Sequence, residues 1–441
     1  MSQAPNNILT SECHLHLYGC LAKETLWELS ESRSKTHDKR FQWYLAEYEK
    51  ATRQAINPKK WWDSDRGFDT FKNHFLCRES VPFEIFQAKF NLLIALFPPT
   101  PDDMTMPESV FKHHSKEGGY KEYRTFMPLY LAVPERKRYL QKLIETAASF
   151  ETKAYHPRIA ISFSRQDNEA WDNYAFLKDT LSECPDLAPW ITGIDFCASE
   201  RGHPPTEKRK LFHQILADNR DSPNPLEILY HVGEMWQDIA IHSAARWCVE
   251  ASELGVKRLG HALALGMNAE AVSGRSISES TTETASHFAW LRRHRQVLHE
   301  SGYTPIDYAW LERRAHMSSH NDQVTWHYDK DLIENTTKFQ TAAMEIVRRI
   351  GSIIESCPTS NLRIGAIKNP VHHPLRRFLD HGLSVTIATD DPGIFDIDLK
   401  HEETLARNIL GITSEELTHS HELTESLFTS LVERAKLLPR C

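Results

Sequence analysis

No run of 18 or more apolar residues occurs in the 441-residue chain, so no segment reads as a membrane-spanning helix. No Cys-x-x-Cys occurs either. The eight cysteines, Cys13, Cys20, Cys77, Cys184, Cys197, Cys248, Cys357 and Cys441, are scattered, which excludes a dense disulfide framework and predicts reduced thiols in a cytoplasmic protein. Positive charge is not in excess: 52 Lys and Arg stand against 60 Asp and Glu, a net charge of −8. A constitutive binder of nucleic acid or of an acidic membrane needs a cationic surface, so both classes are excluded, whereas a local basic pocket for one small phosphate is not. The first residues, Met1-Ser-Gln-Ala-Pro-Asn-Asn7, lack the basic and apolar stretches of a signal peptide. Internal repeats and low-complexity linkers are also missing, and the expectation is one domain over residues 1–441.

What is present is ordinary for a globular protein, with 40% hydrophobic and 25% charged residues, and the length suits one α/β barrel with insertions. Short apolar runs alternate with longer helical patterns, the signature of a parallel sheet with crossover helices. Candidate strands are 12–17, 123–127, 158–163, 191–196, 227–230, 258–260, 353–357 and 384–388. Eight is the number that closes a (β/α)8 TIM-type barrel. Apolar residues at helical spacing mark helices over 135–152, 237–254 and 372–381. A polar block, about 266–336, breaks this rhythm after the sixth strand and reads as an inserted helical segment. Connections on that side of a barrel build the active-site face, so the block is either a lid or a peripheral decoration. The stretch 97–119, with Pro98-Pro-Thr-Pro101 and Gly118-Gly119, reads as a connecting loop.

Chemistry-bearing residues gather at the predicted strand ends. His14-Leu-His16 closes the first strand, where period-two alternation turns both imidazoles to one face, within reach of one metal ion. His231-Val-Gly-Glu234 follows the fifth; His231 is a third candidate ligand, Glu234 a proton carrier, and Gly233 lets the backbone turn close to a ligand. His261 ends the sixth in the same way, and alone would read as a hydrogen-bonded structural histidine. Thr389-Asp-Asp-Pro392 follows the eighth. Two adjacent carboxylates after a buried strand are costly to desolvate without a cation or proton partner. Each signal by itself has an ordinary structural explanation. Together they converge, because in a barrel these ends share one mouth. Three histidines and one carboxylate suit zinc, or another divalent metal of similar preference, with a water as the remaining ligand, and Glu234 and His261 are then left to handle protons.

These residues resemble the adenosine deaminase family of the amidohydrolase superfamily. The matching stretches are Glu12-Cys-His-Leu-His-Leu-Tyr-Gly19, Gly193-Ile-Asp-Phe-Cys-Ala-Ser-Glu200, His231-Val-Gly-Glu234, Arg258-Leu-Gly-His261, Cys357-Pro-Thr-Ser-Asn361, His373-Pro-Leu375 and Thr389-Asp-Asp-Pro392 with Phe395. The resemblance implies one zinc ion per chain held by His14, His16, His231 and Asp390. It implies that Glu234 protonates the ring nitrogen beside the reacting carbon, that His261 orients and helps deprotonate a water, and that Asp391 bonds the five-membered-ring nitrogen of a purine. The substrate side would be Tyr18, Gly19, Ala198, Gly233 and Asp391. The implied reaction is loss of the 6-amino group of an adenine nucleoside or nucleoside 5′-monophosphate as ammonia.

The chain departs from the family pattern at several of these positions. Tyr18 stands where relatives that take the free nucleoside often carry an aspartate, and a neutral phenol would not repel a 5′-phosphate. Ala198 stands where a glycine usually faces the purine edge; Val232 replaces an alanine and Ala262 a common glycine. A reshaped sugar-end pocket for AMP or dAMP follows as an expectation. Alternatives are an aminohydrolase of adenine or of an N6-substituted adenine nucleotide, and a catalytically silent, purine-binding regulatory barrel. A nucleic-acid deaminase of the Pro-Cys-x-x-Cys type is excluded, since that motif does not occur.

Overall fold

The computed structural model describes residues 8–33, 39–62, 67–166, 169–303, 308–317, 319–320 and 322–436; residues 1–7 and Cys441, used above, lie outside them. Among the described residues there are eleven strands: β1 (Glu12–His16), β2 (Gly119–Phe126), β3 (Tyr155–Ser164), β4 (Ile191–Cys197), β5 (Glu227–Val232), β6 (Arg258–His261), β7 (Ser276–Ser280), β8 (Ser319–His320), β9 (Gln323–His327), β10 (Ile353–Ser356) and β11 (Ser384–Ile387). Eight of them form one parallel sheet in the order β1-β2-β3-β4-β5-β6-β10-β11. A parallel bridge between Leu15 and Asp390 brings the last strand back to the first. There His16 N donates to Asp390 O at 2.9 Å, and Asp390 N donates to His14 O at 3.1 Å. The eight predicted strands are therefore the eight barrel strands.

Helices cover the outer face, as a parallel sheet buried on both sides requires. Val133–Ser149, Ile241–Glu253 and Leu375–Asp380 match the expected helical stretches. No helix among the described residues is long and apolar enough to cross a membrane. The seven described cysteines are free thiols.

The barrel interior is not purely apolar. Glu12, Lys121, Glu122, Arg124, Arg258 and Glu355 are all buried. Arg258 Nη2 lies 2.6 Å from Glu122 Oε2 and its Nη1 2.9 Å from Glu355 Oε1, while Lys121 Nζ lies 2.6 Å from Glu12 Oε1. Each charge has a partner, which is what makes burial tolerable; removing one member of such a pair costs about 3–5 kcal/mol.

Two regions differ from the expected organisation. The stretch read as a loop over 97–119 contains the helix Thr105–His114, because its apolar residues Met106, Val110 and Phe111 pack into the core. The block after β6 is not purely helical. It carries an antiparallel sheet in the order β7-β9-β8 beside the helices Thr281–Arg293 and Arg295–Glu300. This block packs on the helix Ile241–Glu253, where Trp247 Nε1 donates to Glu283 Oε1 at 2.9 Å and the His242 and Trp326 rings meet edge to face.

Candidate active site

The C-terminal ends of the strands open into a cavity of about 560 Å³. His16, His231, Glu234, His261, Asp390 and Asp391 line its floor. Much of its wall comes from the connection between β1 and β2: the helices Lys39–Thr52 and Phe83–Leu96 pack on each other and contribute Tyr44, Phe83, Phe86, Phe90 and Ile94. No described residue from 266–336 lines this cavity.

The strand ends are bent to deliver these groups. Ala198, His261, Ala262 and Asp390 all have left-handed backbone, with φ of 73°, 63°, 48° and 66°. Such geometry costs a non-glycine residue roughly 1–2 kcal/mol and recurs at functional sites, where the surrounding structure enforces it. Gly233 turns the chain after β5 with φ 70°; its N–H and that of Glu234 donate to the buried Glu200 carboxylate at 3.1 and 3.0 Å. Gly19 serves close approach: a Cβ there would fall 1.7 Å from Asp391 Oδ1.

Four of the expected residues point their donor atoms at one another. His14 Nδ1 faces Glu355 Oε2 at 3.0 Å, and His231 Nδ1 faces Asp195 Oδ1 at 3.0 Å, the latter off the line of a good hydrogen bond. Carboxylates at these positions hold the ring protons on Nδ1, so both Nε2 lone pairs turn inward, where they lie 3.1 Å apart. The nearest other donor, Arg124 Nη1, is 3.4 Å from His14 Nε2 and also reaches Asp195 Oδ1 at 3.2 Å. His16 Nδ1 is 2.8 Å from Asp390 Oδ1, and His14 Nε2 is 3.5 Å from the same oxygen. Asp390 Oδ1 is buried and accepts no hydrogen bond. Lone pairs packed this closely repel unless a cation sits among them. Ligand atoms around a tetrahedral zinc are roughly 3.3 Å apart, given bonds of about 2.0–2.1 Å. The donor set, three imidazoles and one carboxylate, fits such an ion. Asp390 is steadied from the far side by Ser360 Oγ, which donates to its Oδ2 at 2.6 Å.

Proton-handling groups stand beside this cluster. Burial, and after it the Asp390 and Glu200 carboxylates, pushes the Glu234 carboxyl well above its ordinary range, which favours its protonated form. Burial and then the adjacent Asp390 raise Asp391 to about 7; its Oδ2 lies 3.4 Å from His16 Nδ1. Burial pushes the His261 imidazole down to about 3, so the ring is neutral. Its tautomer follows from a relay. Leu375 N donates to His373 Nδ1 at 3.2 Å, so His373 carries its proton on Nε2 and donates to Asn361 Oδ1 at 3.1 Å. Asn361 Nδ2 then donates to His261 Nδ1 at 3.1 Å. His261 is left with its proton on Nε2, 3.3 Å from Glu234 Oε1 and 4.0 Å from Asp390 Oδ2.

On the substrate side, Ala198 and Tyr18 line the cavity, but the buried Tyr18 hydroxyl donates to Phe97 O at 2.9 Å. Sequence reasoning gave no role to the supporting groups Glu355, Asp195, Arg124, Ser360 and Glu200, although Asp195, Glu200 and Ser360 lie within the matching stretches. The available signal was a charged residue inside an apolar strand, as in Ile191–Cys197 and Ile353–Ser356.

Residues 329–440 match the adenosine deaminase family model. Over those residues the chain is similar to that family. A stretch of 123 residues is 34% identical to the adenosine deaminase of Proteus mirabilis, covering 26% of this chain and 37% of that enzyme. Curated relatives match over less than two fifths of their own length. The likeness in fold extends over nearly the whole chain. The adenine deaminase of Arthrobacter aurescens superposes with TM-score 0.56 at 16% identity, covering 97% of this chain and 98% of that one. The Arabidopsis N6-mAMP deaminase gives 0.55 at 15% identity, covering 97% of both. These structures share the TIM-type barrel.

Proposed function

We propose that this chain removes the 6-amino group of an adenine nucleoside or nucleoside 5′-monophosphate by hydrolysis, releasing ammonia. The observation that carries the reading is the buried Glu234 carboxyl in one cavity with His16, His231, His261, Asp390 and Asp391, with His14 Nε2 behind them 3.1 Å from His231 Nε2. A zinc ion held by those four residues would, when bound, lower the pKa of a water into the neutral range. Glu234 donates its proton to the ring nitrogen next to C6, making that carbon electrophilic. The His261 Nε2–H, held in place through Asn361 and His373, orients the incoming water by hydrogen bonding. Asp391 shares a hydrogen bond with the five-membered-ring nitrogen. Water adds at C6; one of its protons passes to the amino group, which leaves as ammonia, and the other returns to the Glu234 carboxylate, giving the 6-oxo purine with the former Glu234 proton on the ring nitrogen.

The apolar wall of Phe83, Phe86, Phe90 and Ile94 suits a planar base. Two arginines line the cavity. Arg124 is held by Asp195 and Glu355, and the Arg40 guanidinium lies 4.2 Å from the Tyr130 ring centre. The volume and apolar wall also leave room for an N6 substituent, which keeps an N6-substituted adenine nucleotide as the second reading.

A panel of adenine, adenosine, deoxyadenosine, AMP, dAMP and N6-methyl-AMP, with zinc added, tests both. Ammonia should appear with the nucleosides or the monophosphates; with N6-methyl-AMP the released amine is methylamine, and dominance of that reaction would favour the second reading. Binding of these purines without release of ammonia or amine from any of them would make the chain a silent purine-binding barrel.

A further inference from the structure

A second polar cavity, of about 350 Å³, lies beside the barrel where the helix Thr105–His114 runs out toward β2. His113, His114 and Glu117 line it, and their ligand atoms lie within 4.8 Å of one another. His114 is only 3% exposed. Its Nδ1 is hydrogen-bonded to Tyr123 Oη at 2.7 Å, and that phenol is bonded in turn to Tyr155 Oη at 2.7 Å, which fixes the ring. Its Nε2 has no partner among the described residues. Burial, then Lys121 and His113, holds the ring well below its ordinary pKa, so it is the neutral form that binds metals.

The other two groups are free to close on the same point. His113 Nε2 lies 3.5 Å from Glu117 Oε1, and its side chain is half exposed, so its ring can turn by the ångström or so that separates 4.8 Å from a bonded arrangement. Glu117 Oε2 is 3.4 Å from Lys121 Nζ, but Lys121 has a closer partner in Glu12 at 2.6 Å. Glu117 can therefore turn to a cation without stranding a buried ammonium. The site also sits at a helix C-terminus, where the backbone dipole favours positive charge.

We propose that His113, His114 and Glu117 hold a second divalent metal ion, zinc or another imidazole-preferring ion, distinct from the one assigned to the barrel mouth. Two imidazoles and one carboxylate leave a coordination position for water or for an outside ligand.

Equilibrium dialysis of the full chain against buffered micromolar zinc, followed by metal counting, tests this. The arms are the unaltered protein, His113→Ala with Glu117→Gln, and Asp390→Ala. The unaltered protein should bind one zinc more than either variant, and the double variant should keep its ammonia release and circular dichroism. A double variant that binds as much zinc as the parent overturns the second site while leaving the barrel site standing. If instead Asp390→Ala binds as much as the parent and only the double variant loses an ion, the second site stands and the barrel assignment falls.

Discussion

Glu234→Gln is expected to bind zinc as the parent does while ammonia release falls by about 10²–10⁴-fold, the usual worth of a positioned general acid. Glutamine keeps the size of the side chain, and the backbone N–H of residue 234 still donates to Glu200, so the turn after β5 survives. What disappears is the exchangeable proton. Glu234 is suited to carry one because burial and two neighbouring carboxylates raise its pKa, and an amide of the same shape cannot release and regain a proton near neutral pH. Single-turnover rates and metal content, measured on the same preparation, check both halves. A glutamine variant with parental turnover removes Glu234 from the chemistry.

Asp390→Ala should weaken zinc binding by about 100-fold or more, beyond the 10–100-fold typical of losing a group that merely supports a ligand. Asp390 supplies the negative charge in a set otherwise made of neutral rings, and its buried Oδ1 has no other partner. Zinc titration against a competing chelator reads the change directly. The variant also loses the restraint that Ser360 places on the strand end, and alanine tolerates a φ of 66° less well than aspartate, so circular dichroism is recorded beside the titration to separate lost affinity from lost fold. Affinity equal to the parent's would show that Asp390 is not a ligand.

Much of the barrel was legible in the sequence because each strand is a short apolar run ending in a polar group with a chemical task. His16, His261 and the Asp390–Asp391 pair all lie at or just past such ends. The limits of the reading follow from the same physics. β2 begins at Gly119 rather than near 123, since Lys121 and Glu122 look like surface residues until Glu12 and Arg258 are seen to neutralise them inside the barrel. Glu355, Asp195 and Arg124 were hidden for the same reason. Buried charge is tolerated only through partners far away in the chain, and one sequence does not show who pairs with whom. The cavity wall was the largest omission. The helices Lys39–Thr52 and Phe83–Leu96 carry no motif, and their position over the strand ends comes from packing alone. Motifs placed the floor; the wall had to be seen.

Anomalous scattering at the zinc edge, from crystals of the full chain soaked in zinc, tests the metal centre most directly. A peak bonded to His14 Nε2, His231 Nε2, His16 and Asp390 is the expected result. Zinc-soaked crystals with those four side chains ordered and no peak among them would contradict it.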